Sequence, residues 1–191
     1  MKPSSLAARY VVAASTFAAA ALVSAASADV TFTFTNQVWT GFNFTEAFAA
    51  GTLTGTLTGA TVNATLNAST NYTYADDLCV YVAGSPLALG GLLQCGGFSN
   101  LNAGQRYSWA NGASDVPGTP VTGTVNFTTG INMATNPTQI IWIGNGFRNP
   151  FYDVSGTWTG TITLLGVSAV PAPGAIALLG LAGLCSRRRR A

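Results

Sequence analysis

The side chains able to do chemistry in this 191-residue chain are six carboxylates, three cysteines, four tryptophans and six tyrosines, and there is no histidine. Without imidazole, the Ser-His and Cys-His nucleophile arrangements and the imidazole zinc site cannot be assembled. Glu46 is the sole glutamate. A glycosidase needs two carboxyls facing one cleft. Asp76 and Asp77 are adjacent, so a strand would point them to opposite faces, and nothing in the spacing joins Asp77 to Asp153. In a loop, Asp76 and Asp77 could offer oxygens to a calcium ion together with backbone carbonyls. They lack the periodic Asp, Asn and Gly of a calcium loop, so they read as a solvated turn. No catalytic residue, metal or cofactor is expected.

Trp39, Trp109, Trp142 and Trp158, with Tyr72, Tyr74, Tyr81 and Tyr107, can be read as a platform for stacking sugar rings or as core. Trp158 alternates in phase with Ile162 and Leu164 and is expected in the core. Trp109 stands beside the turn-forming Asn111-Gly112 pair and is the aromatic expected at the surface. Cys79 and Cys95 read as a disulfide, which would contribute about 3 kcal/mol by restricting the unfolded chain. The competing reading, a metal or redox pair, lacks both histidine and a Cys-Xaa-Xaa-Cys spacing. Cys185 falls in an apolar stretch and reads as a small apolar residue.

The elements that must position these residues are strands. Between residues 29 and 169 the chain is rich in Thr, Gly, Asn and aromatics and contains no Lys, a composition suited to half-buried pleats separated by turns. Val30-Thr31-Phe32-Thr33-Phe34-Thr35 alternates with period two. From Gly51 to Thr70 the large residues Leu53 and Leu57 are odd while Val62 and Leu66 are even. A hairpin or bulge is therefore expected around Gly59-Ala60, because a one-residue slip exchanges the faces. Further strands are expected at Tyr72 to Tyr74, Cys79 to Val82, Gln105 to Trp109, Val121 to Thr128, Gln139 to Ile143 and Gly156 to Leu165. The last has Trp158, Ile162 and Leu164 on one face and threonines on the other, one face for a core and one for water. Residues 83 to 104, 111 to 120 and 144 to 150 are rich in turn formers. Short strands at regular spacing point to an all-β, two-sheet antiparallel β-sandwich of jelly-roll type.

Both ends carry addresses rather than fold. Lys2 and Arg9 precede an Ala/Val-rich stretch from Tyr10 to Val23, and Ala26-Ser27-Ala28 supplies a cleavage site before Asp29, the grammar of a secretory signal peptide over residues 1 to 28. The last segment, Val170 to Ala191, reads VPAPGAIALLGLAGLCSRRRRA. Its prolines end any strand. Its apolar run, Ala175 to Leu184, spans about half of a bilayer core of roughly 30 Å. Arg187, Arg188, Arg189 and Arg190 form a stop-transfer cluster that stays cytoplasmic. Lys2, Arg9 and these four arginines are six of the eight basic residues, so residues 29 to 169 keep only Arg106 and Arg148 against six acids, a net charge of −4. Such a module offers no electrostatic footprint for nucleic acid.

The order of Val170, Pro171, Pro173, the apolar run and the arginine cluster resembles the PEP-CTERM sorting signal of exosortase-processed bacterial proteins. Ala172 stands where the signal's name-giving residue is Glu, and Gly174 completes the break. The resemblance covers 170 to 191 alone and implies an exosortase-type membrane protease and, transiently, the inner membrane as partners. It implies export across the inner membrane to the cell envelope or the extracellular polymer after tail processing. A simpler reading is an ordinary C-terminal anchor with a stop-transfer cluster.

Asn-Xaa-Ser/Thr triplets begin at Asn43, Asn63, Asn67, Asn71 and Asn126, matches that a Thr- and Asn-rich composition produces by itself. Two functions are expected of the exported domain, residues 29 to 169. The favoured one is a non-enzymatic envelope or extracellular-matrix protein, with extracellular polysaccharide as an expected partner. The alternative is a secreted carbohydrate-binding module using exposed aromatics. Exposed coplanar rings on a sheet face or loop rim favour the second, and burial of all four tryptophans counts against it.

Overall fold

The computed structural model describes residues 29–85, 90–100 and 102–171. The expected signal peptide, Ala28 included, lies outside the described residues. So do Ala172, Pro173, Gly174, Cys185 and Arg187 to Arg190. The described residues are all-β, with nine strands and one turn of 3-10 helix, Ala75–Asp77. The strands are β1 Val30–Thr40, β2 Phe44–Phe48, β3 Leu53–Thr70, β4 Leu78–Ala83, β5 Leu93–Cys95, β6 Gln105–Tyr107, β7 Pro120–Asn132, β8 Ile140–Asn145 and β9 Ser155–Ala169. They form two sheets, ordered β1-β9-β3-β7 and β2-β8-β4-β5-β6. The first is antiparallel throughout; in the second β5 and β6 run parallel, which corrects the expectation of purely antiparallel sheets.

Both sheets contribute to one core. Trp39, Leu57, Leu66, Trp158 and Ile162 of the first sheet join Leu78, Val80, Val82, Ile141 and Ile143 of the second in a single buried cluster. The phase change anticipated in the long second segment is a bulge. β3 is one continuous strand of 18 residues, and its register against β7 shifts between Leu57 and Gly59. There and against β9, where the register shifts between Gly55 and Gly59, the strand changes phase and returns Val62, Ala64 and Leu66 to the face that buries Leu53 and Leu57. A second bulge, between Phe34 and Gln37 of β1, brings Trp39 inward behind Phe34. Asn36 occupies it in the left-handed region, φ 47°, and its N–H donates to Thr159 Oγ1 at 2.8 Å.

The outer face of the first sheet is paved with threonine. Thr31, Thr163, Thr61 and Thr124 align across β1, β9, β3 and β7, and hydroxyl contacts of 2.8 Å join Thr31 to Thr163 and Thr61 to Thr124. Each hydroxyl pair satisfies itself while leaving a polar surface for water. On the second sheet the outer face carries a smaller apolar cluster of Cys79, Tyr81, Ala83 and Trp142, packed against Phe42, Phe44, Ala103 and Ile140.

Four elements differ from expectation. Tyr72 to Tyr74 is a loop leading into the 3-10 turn rather than a strand. β2 and β5 are strands where none was expected, and β5 lies within the glycine-rich stretch from 83 to 104. β9 continues past Leu165 to Ala169, because Gly166, at φ 80°, allows a register shift that restarts pairing between Val167 and Gly55. Val170 still donates its N–H to Thr52 O at 2.8 Å. The proline break at Pro171 therefore begins two residues after the last strand, where a strand ending at Leu165 would have left six.

These pairings give the domain two ends. Ala169 lies beside Leu53, and Asp29 Oδ1 accepts from Gly166 N at 3.0 Å, so the chain enters and leaves at one end, the near end. β9 then spans its 15 residues, up to about 45 Å, to Ser155, which pairs with Thr40 and Thr70. At that far end lie the loops around residues 41–43, 71–77, 96–100, 108–119 and 146–154.

Candidate functional site

Eight large apolar side chains are exposed among the described residues, and six of them, Tyr72, Tyr74, Phe98, Val116, Phe151 and Tyr152, stand on the far-end loops. Val38 lies near the end of β1 and Val170 at the near end. Exposed apolar groups scattered singly need no explanation; six gathered at one end of an elongated domain do. Four aromatics, Tyr72, Tyr74, Phe98 and Phe147, border a cleft of about 530 Å³ whose other walls include Asp76, Asp77, Arg106 and Trp109.

The cleft is built around the 3-10 turn. Asp77 is buried, and its carboxylate draws two loops together: Oδ2 accepts from Tyr74 N at 2.7 Å and Oδ1 from Phe98 N at 3.1 Å. The turn's backbone continues the work. Ala75 N donates to Ser114 O, Asp76 N to Gly112 O, Gly97 N to Asp76 O and Gly146 N to Asp77 O, all between 2.8 and 3.1 Å. Trp158 Nε1 reaches Ala75 O from the core at 3.1 Å. From β6, Arg106 holds the 97–98 segment by donating Nη2 to Phe98 O at 2.7 Å. Three loops, around residues 96–100, 108–119 and 146–154, are thereby fastened to one short turn and its own 71–77 loop, a frame for the rings they carry. Glycine is required at one seam: Gly96, φ 78°, passes so close to Leu78 O and the Trp109 indole that a Cβ there would collide with both.

The rings themselves are presented at a conformational cost. Asn71 and Tyr72 are consecutive left-handed residues, φ 52° and 66°, and for a bulky Tyr that region is an outlier of order 1–3 kcal/mol. Asn71 is held by a 2.7 Å bond from Nδ2 to Asp153 O. The strain leaves Tyr72 at 67% exposure, a side chain raised toward solvent rather than folded into the core. Phe98, 75% exposed, meets Phe147 edge to face at 5.9 Å between ring centroids.

Burial shapes the electrostatics. Desolvation raises the Asp77 carboxyl from 3.8 to about 7, with the Asp76 charge adding to the rise and the N–H bonds from Tyr74 and Phe98 opposing it. Asp76 is also raised, again by desolvation against a bond from its own backbone N–H. The expected solvated turn is thus a structural joint, because its second carboxylate is the tie between loops. Among the described residues no group of three or more Cys, Asp or Glu is arranged to hold a metal ion.

The aromatic expectations separate. Trp158 is core, as alternation implied. Trp109 is buried and donates Nε1 to Leu78 O at 2.6 Å, so its neighbouring turn does not expose it. All four tryptophans are buried, which removes a tryptophan platform. The exposed rings are Tyr and Phe on a loop rim. The signal that could have found them is context: Phe98 follows Gly96-Gly97, Phe147 follows Gly146, and Phe151-Tyr152 follow Asn149-Pro150. An aromatic set among turn formers has no strand to bury it.

The expected Cys79 to Cys95 disulfide is absent, and both thiols are free and buried. Register is the reason. Val80, not Cys79, is the partner of Cys95, so Cys95 shares the inner face with Val80 while Cys79 points outward with Tyr81 and Ala83. A disulfide cannot cross a sheet from face to face without moving the backbone. Burial raises both thiols well above the ordinary range, Cys79 further through the nearby Cys95. All five sequon asparagines are exposed, Asn63 and Asn67 on the threonine face. Val170 and Pro171 are exposed at the near end, the described part of the expected sorting motif. Comparison with protein-family models, with curated proteins and with solved structures returns no match to this chain.

Proposed function

We propose that this chain is an exported, non-enzymatic protein of a bacterial cell envelope or extracellular matrix, delivered by a signal peptide and trimmed in its tail by an exosortase-type membrane protease. The observation that carries the reading is the tail's order of parts, Val170 to Gly174, apolar run and Arg187 to Arg190, set directly after the last strand. The near-end geometry supports it. Asp29 and Val170 both leave the domain at the same end, so a membrane-held tail would carry the domain upright with the far-end loops outermost. The strand orders β1-β9-β3-β7 and β2-β8-β4-β5, with β6 added at one edge, favour a jelly-roll sandwich, a rigid spacer for that display.

Intact-mass analysis of the protein from cells with and without the membrane protease tests the proposal. A mature chain that begins at Asp29 and ends within the tail only when the protease is present is the expected result. A C-terminus at Ala191 in both strains would overturn it.

A further inference from the structure

We propose that the far-end cleft is a binding site for a neutral saccharide. This deepens the envelope reading by naming a partner class, although the binding chemistry belongs to the described domain and does not depend on how the tail is processed.

Three observations converge on the cleft. First, its rim carries exposed aromatic rings, Tyr72, Tyr74 and Phe98, with Phe147 beside Phe98, in a volume of about 530 Å³, within the range of small-molecule sites. Second, the backbone is strained at Asn71 and Tyr72, where the loop gains no core packing from holding Tyr72 outward; such outliers concentrate at ligand-gripping positions. Third, the backbone that carries the Tyr74 and Phe98 rings is held by Asp77 and Arg106, so little backbone ordering remains to be done on binding.

The polar groups decide among ligands. The cleft lining includes one guanidinium, Arg106, the half-buried Asp76 carboxyl and the buried Asp77. A polyanion would meet the Asp76 carboxyl, and Asp77 wherever it is ionised, in a domain of net charge −4, which disfavours uronate chains and nucleic acid. A purely apolar ligand would strip water from Asp76 without giving a hydrogen bond in return. A neutral sugar satisfies both demands. Its C–H face packs on Tyr and Phe rings, and its hydroxyls can donate to Asp76 and accept from Arg106.

The test uses the full chain in detergent micelles, titrated by calorimetry and by two-dimensional NMR with cello-, malto- and galacto-oligosaccharides and with oligogalacturonate. Saturable binding of at least one neutral oligosaccharide is expected, with oligogalacturonate at least tenfold weaker. Phe98→Ala and Tyr74→Ala each weaken that binding about tenfold, the loss of one stacked ring, with the unfolding midpoint unchanged; Phe151→Ala, in the neighbouring hollow, leaves it unaltered. The proposal is overturned if none of the neutral oligosaccharides binds at millimolar concentration, if oligogalacturonate binds as tightly, or if both ring deletions leave affinity unchanged. Tail processing is read by mass in a separate experiment, so failure of one reading leaves the other standing.

Discussion

Raising the pH from 4 to 7 should destabilise this domain, and Asp77 is the reason. Its carboxyl is raised from 3.8 to about 7, first by burial and further by the charge of Asp76, against two backbone N–H bonds. Between those two values the folded state keeps a proton that the unfolded chain has released, so stability falls as pH rises and levels off above about 7. At about 1.4 kcal/mol per pH unit the difference amounts to about 4 kcal/mol as an upper limit, a large share of the roughly 5–15 kcal/mol that holds a domain folded. Asp76, also raised by desolvation, adds in the same direction. Urea unfolding at pH 4, 5.5 and 7 measures the slope. In Asp77→Asn the slope should flatten to what Asp76 leaves. The variant should also lose about 1–3 kcal/mol at pH 4, since its amide nitrogen cannot accept the N–H of Tyr74 or Phe98 as either oxygen of the protonated carboxyl can. A wild-type stability that is level or rising from pH 4 to 7, or an Asp77→Asn slope equal to wild type, would refute the buried-tie account.

Other outcomes follow from the same geometry. A reducing agent should leave the urea midpoint of the oxidatively purified protein unchanged, whereas a Cys79 to Cys95 bridge would have cost about 3 kcal/mol on reduction; labelling of Cys79 and Cys95, read by peptide mass, should proceed only on unfolding, because both sulfurs are buried. Trp109→Phe should destabilise by about 1–3 kcal/mol, since it strands the carbonyl of Leu78 that the indole N–H now satisfies; thermal unfolding reads the loss. Gly96→Ala should be more damaging than Gly118→Ala: both have positive φ, but only Gly96 has Leu78 and Trp109 against it. Neutral replacement of Arg187 to Arg190 should impair membrane retention and tail processing, followed by fractionation and intact mass; unchanged processing would show the cluster to be dispensable.

Sequence patterning determined the parts of this protein that depend on neighbours along the chain. Period-two alternation identified β1 and β9 and placed Trp158 in the core, because a pleat turns successive side chains to opposite faces whatever the fold. The phase change between Leu57 and Val62 called for a hairpin or a bulge, and the composition marked the two ends as unlike the middle. What depended on contacts between distant residues was decided only by tertiary structure. The Cys79 and Cys95 thiols are near in sequence and on neighbouring strands, yet a register that pairs Val80 with Cys95 puts them on opposite faces. Trp109 looked exposed beside its turn, but the carbonyl of Leu78, 31 residues away, draws its indole inward. β5 is too short to carry a period and exists because β4 offers it an edge. The candidate site shows the same division. Its rings sit among turn formers in the sequence, but their gathering at one end, opposite the exit of the chain, follows from the pairing of Ser155 with Thr40 and Thr70 and from one buried carboxylate that ties Tyr74 to Phe98.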